Sequence, residues 1–261
     1  MKTWSELTWI ELRELIESKK YKVIALLPVG SIEQHGPHLP LGTDFMIADK
    51  VASLLVNKIK EVGSKVYLLK LPPIPYGLSI MWKAYKGTIT LTPQVFIELV
   101  KSIIKEVISQ GVKAIIILNA HVGNEEALRI ACREAIESLG KGLVVYVNIW
   151  DVVGDVINEV FETKFFHADE VETSLAMVLG LNVEKDLISK GCKPHREYDD
   201  FWHSLDLTKR PKVHMYKPEA SLRVCNGAFG RPDLASPQKG LKLLNKLIER
   251  LTNLVIKVAT Q

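Results

Sequence analysis

Three short runs constrain the fold more than anything else in the chain. "KVIALLPVG" (22–30), "VKAIIILNAH" (112–121) and "LVVYVNIWD" (143–151) are almost continuously apolar. They are too short for buried helices and too uniform for strands with one wet face, so they read as strands covered on both sides. "KVYLLKLPPIPYG" (65–77) reads as a further strand broken by prolines. Segments of helical period lie between them. Residues 8–18 are amphipathic, "FMIADKVASLLVNKIKEVG" (45–63) ends on a glycine stop, and Thr92-Pro93 caps and opens "QVFIELVKSIIKEVISQG" (94–111). "NEEALRIACREAIESLG" (124–140), a helix near Glu170 and a last one over about 238–258 complete the series. Strand alternating with helix predicts an α/β fold: a three-layer sandwich with a central, mainly parallel sheet and helices on both faces. With 261 residues, 47% of them hydrophobic, one core is enough, and residues 1–261 are expected to form one domain. Residues 191–217 are polar, basic and aromatic without a clear period, and read as a surface excursion or pocket rim.

Several function classes fall away. No run of about 18 apolar residues exists, so no membrane span is expected. The charged N-terminus "MKTWSELTWIELRELIESKK" lacks the apolar stretch of a signal peptide, which points to the cytoplasm. Cys132, Cys192 and Cys225 are scattered without a C-x-x-C, which argues against a disulfide framework and a zinc knuckle. The net charge of +4 arises from 34 basic and 30 acidic residues, a balance that gives no ground for nucleic-acid binding.

In open parallel sheets, sites form beyond the C-terminal ends of the strands. "GSIEQHGPHLPLGTD" (30–44) follows the first strand and is too rich in glycine and proline to be a helix. His121 follows the third strand, and His167 lies in "FFHADEVETS" just before a helix. Glu33 and His35, two apart, project to the same side of an extended chain. Each could hold a different ion, and Asp44 could bridge the pair, because the two oxygens of a carboxylate can bind separate cations. Two ions about 3.5–4 Å apart form a common hydrolytic centre. Imidazoles favour zinc or a transition metal, while carboxylates tolerate manganese or magnesium. Structural readings stay open beside this one. Asp44 could cap a helix starting near Phe45, and His38 could be a satisfied loop histidine.

The same loop resembles the signature of the creatininase (creatinine amidohydrolase) family. "PIPYGLS" (73–79), "KGTITL" (86–91), "NAHVGN" (119–124), "HADEVETS" (167–174) and "NGAFGRPDLASPQKG" (226–240) follow in family order. The resemblance implies hydrolysis of a non-peptide C–N bond in a small amide, two divalent ions (Zn, Mn or Fe) and a homo-oligomer, a hexamer or related assembly. It implies that Glu33 and His121 bind one metal, that His35 binds the second and that Asp44 bridges. The family glutamate two residues after the strand-three histidine is replaced here by Gly123, and Glu172 is expected to stand in as ligand and catalytic carboxylate. His167 matches the family histidine beside the reacting bond, which protonates the leaving nitrogen or holds the oxyanion. Ser79, Trp82, Trp150 and Asp169 are expected around the substrate; for the two tryptophans ordinary packing is the competing reading. Asp169 replaces a common glycine, where it could orient His167 or repel an anion. Met81-Trp82 replaces a common Glu-His, which moves the expectation away from creatinine itself. Two other readings stand beside the amidohydrolase. One is the archaeal formamidopyrimidine ribotide deformylase branch, with Lys83, Lys86, Arg196, Lys209 and Arg210 as candidate phosphate contacts. The other is a metal-binding protein that kept the fold without the chemistry.

Overall fold

The structure is a computed structural model that describes residues 2–192, 204, 206–209, 212–214 and 226–261. Along the chain run α1 (Trp9–Glu17), β1 (Lys22–Val29), α2 (Thr43–Glu61), β2 (Val66–Lys70), α3 (Pro93–Ser109), β3 (Ala114–Asn119), α4 (Glu125–Leu139) and β4 (Leu143–Asn148). The short α5 (Ile149–Val152) and α6 (Gly154–Val160), then α7 (Glu170–Val178) and α8 (Pro237–Ala259), complete it. The strands form one sheet in the order β2-β1-β3-β4, and every pairing is parallel.

The unbroken apolar runs arise because both faces are covered. Val23, Ala25, Leu27 and Val29 of β1 point to the layer of α3 and α4, against Phe96, Val100, Ile104 and Leu128. Ile24 and Leu26 point the other way, into the layer of α2, α7 and α8 with Ile47, Val51, Leu175 and Leu247. With a side-chain period of two, each layer needs apolar residues at alternate positions, and the sum is a continuous run.

The cap signals hold in detail. Thr92 Oγ1 accepts from the Val95 N–H at the start of α3, and Ser236 does the same for Lys239 at the start of α8. One helix starts earlier than expected: α2 begins at Thr43 with Gly42 as its cap, so Asp44 lies inside the first turn and does not cap. Cys192 is disulfide-bonded, which sequence spacing did not anticipate because it carries no information on closeness in space. Among the described residues no helix is long and apolar enough to cross a membrane.

The register brings Val29, Asn119 and Asn148 into line at one edge of the sheet. The chain therefore leaves β1, β3 and β4 on the same side. The Gly30–Asp44 loop, His121 and Trp150 all emerge there.

Candidate metal centre

The loop after β1 is held by its own backbone and by its neighbours. Glu33 N–H donates to Leu41 O at 2.9 Å, and Thr43 Oγ1 donates to Pro40 O at 2.6 Å. Asn124, ahead of α4, braces the loop from the side: Nδ2 donates to Gly30 O at 2.9 Å while Oδ1 accepts from Leu78 N–H at 2.9 Å. A Cβ at Gly77 would lie 2.4 Å from that Oδ1, so this approach requires a glycine. His38 Nε2 sits 2.8 Å from Thr173 Oγ1 and ties the loop to α7, while its Nδ1 is buried without a hydrogen-bond partner, so the satisfied loop histidine holds for one ring nitrogen of the two. Burial lowers its pKa to about 4, with His35 adding to the effect.

This frame carries a compact set of buried acids and imidazoles. His35 Nε2 lies 3.1 Å from Asp44 Oδ1, and His121 Nδ1 lies 2.9 Å from Asp44 Oδ2. Ser31 Oγ donates to the same Oδ2 at 3.0 Å and in turn accepts from Ser79 Oγ at 3.0 Å. Glu33 Oε2 is 3.4 Å from His121 Nε2, and its Oε1 is 3.7 Å from His167 Nδ1. Glu172 Oε2 is 3.9 Å from His35 Nε2 and accepts the Ala168 N–H. Ala168 has a φ of 47°, a left-handed conformation unusual for a residue with a Cβ, and it directs the chain from His167 into α7.

Three overlapping triads result, each with its ligand atoms within 4.8 Å of one another: Glu33–Asp44–His121, His35–Asp44–Glu172 and Glu33–His35–His167. Asp44 belongs to two of them. Both carboxylate oxygens of Glu33 are buried with no hydrogen-bond partner. A buried carboxylate that accepts no hydrogen bond, with its nearest imidazole nitrogen at 3.4 Å, is costly, so this residue is suited to a cation. Carboxylate and imidazole together are the donor set of zinc and manganese sites.

The charges respond to one another. Burial opposes a charged His35, but Asp44, Glu172 and Glu33 outweigh it and raise its pKa to about 10. Burial also opposes a charged His121, and Glu33 and Asp44 raise its pKa to about 9. Burial would raise Asp44, yet His35 and His121 hold it well below the usual carboxylate range. Burial pushes Glu33 up, and pushes Glu172 up to about 8 against the pull of His35. His167 is held well below its ordinary value by burial and then by His35.

A cavity of about 170 Å³ opens onto this set. Glu33, Asp44, His121, His167 and Glu172 face it, as do Ser79, Trp82 and Trp150; His35 lies behind, fully buried. Trp82 stacks on His167 with ring centroids 4.1 Å apart and planes 18° apart. Trp150 packs against Phe165 and donates Nε1–H to Ala120 O at 2.8 Å. The two readings of these tryptophans, packing and pocket wall, thus coexist.

Asp169 is elsewhere. Its Oδ1 accepts from Val171 and Glu172 N–H and its Oδ2 from Phe166 N–H, which makes it the cap of α7 rather than a pocket wall. An acid before a helix is more often a cap than a ligand, and that local signal was present in the sequence. Gly123 lines the cavity beside the histidine, and a Cβ there would lie 2.5 Å from His121 Nε2, so a larger residue is excluded in this arrangement. Lys83 and Lys86 are exposed and do not line the cavity. Lys209 is exposed, while Arg196 and Arg210 lie outside the described residues. So does most of 191–217, although Leu207 within it reaches the cavity wall and donates its N–H to Phe165 O at 2.8 Å.

Sequence reading missed Gln34. Its carbonyl lies 2.8 Å from His167 Nε2, its side-chain Nε2 donates to Gly227 O at 3.0 Å, and its Oε1 accepts the Gly36 N–H. The only signal was its position between two candidate ligands.

A parallel α/β sheet carrying a buried carboxylate–imidazole centre at its C-terminal edge defines the class: a metal-site protein built on strand-end loops. The sequence profile described as creatinine amidohydrolase (creatininase) matches residues 5–255, and the chain belongs to that family. It is 28% identical over 191 residues to the creatinine amidohydrolase of Pseudomonas putida, covering 67% of this chain and 70% of that one. It is 25% identical over 249 residues to the 2-amino-5-formylamino-6-ribosylaminopyrimidin-4(3H)-one 5'-monophosphate deformylase of Methanothermus fervidus, covering 92% and 83%. In structure it is similar to a manganese form of creatininase, with a TM-score of 0.77 over 98% of both chains at 23% identity, which shows the shared fold.

Proposed function

We propose that this chain is a metal-dependent amidohydrolase that cleaves a non-peptide C–N bond of a small molecule, with two divalent ions sharing Asp44. The observation that carries the reading is the pair of triads joined at Asp44, one of them including the buried Glu33, whose two oxygens accept no hydrogen bond. Glu33, Asp44 and His121 would hold one ion, and His35, Asp44 and Glu172 the other. When bound, such ions lower the pKa of a water and polarise an amide carbonyl.

The chain's own residues supply the rest. Asp44 is oriented by Ser31, itself held by Ser79, so its oxygens stay fixed toward the two imidazoles. His167 Nε2 lies between two groups of Gln34, the carbonyl at 2.8 Å and the side-chain Nε2 at 3.0 Å, while its Nδ1 lies 3.7 Å from Glu33 Oε1. Held neutral by burial and then by His35, His167 keeps one ring nitrogen unprotonated, so it can accept a proton and return it to a leaving nitrogen. Trp82 keeps its ring plane fixed by stacking. A homo-oligomer is part of the same proposal.

The deformylase reading is less well supported. A 5'-monophosphate substrate calls for cations, and among the described residues no lysine or arginine lines the cavity. The test is turnover of a panel of formyl, acyl and cyclic amides by zinc- or manganese-loaded protein. Hydrolysis of at least one, abolished by chelator and by Asp44→Ala, is expected. Bound metal with no turnover across the panel would favour the non-catalytic metal-binding alternative.

A further inference from the structure

Besides its acids and imidazoles, the cavity is lined by Leu78, Met81, Trp82, Trp150, Phe166 and Leu207, with Trp82 stacked on His167. Two polar groups beside these side chains are already engaged. Trp150 Nε1–H is taken by Ala120 O, and Ser79 Oγ by Ser31. No lysine or arginine lines the cavity among the described residues, and all its acids are proposed metal ligands. A charged group pressed against these apolar side chains would lose its hydration, and among the described residues no lysine or arginine replaces it for an anion. The size narrows the choice further: about 170 Å³, shared with the acid and imidazole groups, leaves room for no more than one small ring, since a benzene ring fits a cavity of roughly 150 Å³.

From these side chains and this volume we infer that the site takes small uncharged amides carrying one planar apolar ring beside the carbonyl, with Met81 and Phe166 setting that choice at the outer rim. This rests on the amidohydrolase reading and specifies its substrate class. Met81 is exposed at the mouth, while Phe166 is half-buried and packs edge-on against Phe229 at 5.3 Å. Neither contacts a proposed metal ligand through a hydrogen bond, so either can change without dismantling the centre.

The experiment is calorimetric binding of three hydroxamates to the zinc-loaded full chain. All carry the same chelating head, so they differ only in what meets the wall: benzohydroxamate a ring, acetohydroxamate a methyl, glycine hydroxamate a cationic amine. Burying the ring should make benzohydroxamate at least about tenfold tighter than acetohydroxamate, with glycine hydroxamate the weakest. Met81→Glu, with unchanged zinc content, should narrow the gap between the ring and the amine severalfold. Phe166→Ala should weaken benzohydroxamate and leave acetohydroxamate unchanged. Equal affinities, or tightest binding of glycine hydroxamate, would overturn the selectivity and leave the hydrolase reading in place. A chain that binds neither zinc nor any of the three would overturn the metal centre, and this inference with it.

Discussion

Asp44 gives one carboxylate oxygen to His35 and the other to His121 and Ser31. Removing it takes the common member from two triads, whereas removing Glu172 takes a member from one. Glu172→Gln should therefore keep one ion and lose the other, and metal analysis should fall from near two to near one per chain. Unchanged content would remove Glu172 from the proposed ligand set. Asp169 makes a different kind of contribution. Asn in its place cannot accept on both sides, so Asp169→Asn should cost about 1–2 kcal/mol through lost N–H bonds at the start of α7. Thermal unfolding would show it, and no loss would mean that the cap is dispensable. These two residues also mark how far sequence reading reaches. Glu33, His35, Asp44 and His121 were legible because strand-end loops in a parallel sheet share one edge. Asp169 was misplaced because a cap and a pocket acid look alike in one dimension. Gln34 was missed because its role depends on a partner 133 positions away.

The elements behind the site are held by close approaches. A Cβ on Gly240 of α8 would lie 2.1 Å from Ser174 O of α7, a contact with backbone that no side-chain adjustment relieves. Gly240→Ala should drive α8 from α7, cost about 1–3 kcal/mol as an overpacked contact, and shift Glu172 with its helix. Denaturant unfolding together with metal content would report both effects. A variant as stable as the parent would show that α7 and α8 are not held this tightly. The helices were legible from their period and caps, and the strands from unbroken apolar runs. The start of α2 was not, because Gly42 carries no side-chain cap signal and Asp44 looked like one.

For the whole molecule, the centre links folding to pH and to metal. His35 and His121 have folded pKa values of about 10 and 9 against 6.5 for a free imidazole, and Glu172 is raised to about 8 from 4.5. Each group binds its proton more tightly when folded. For His35 and His121 that stabilisation is complete below about pH 6.5 and fades as pH rises through 9 and 10; for Glu172 it is complete below about 4.5 and fades through 8. Chelator-treated protein should lose stability from about pH 6.5 to 10, and a flat profile would contradict these shifts. An ion competes with the same protons, so metal affinity should rise over that range. The metal-bound protein should also unfold at a higher temperature than the chelated one. The most direct test of the bridged centre is metal content per chain in carefully purified protein, beside an Asp44→Ala variant. Close to two ions in the parent and a marked loss in the variant is the expected result. Near-zero metal in the parent, even after zinc and manganese are offered, would contradict it.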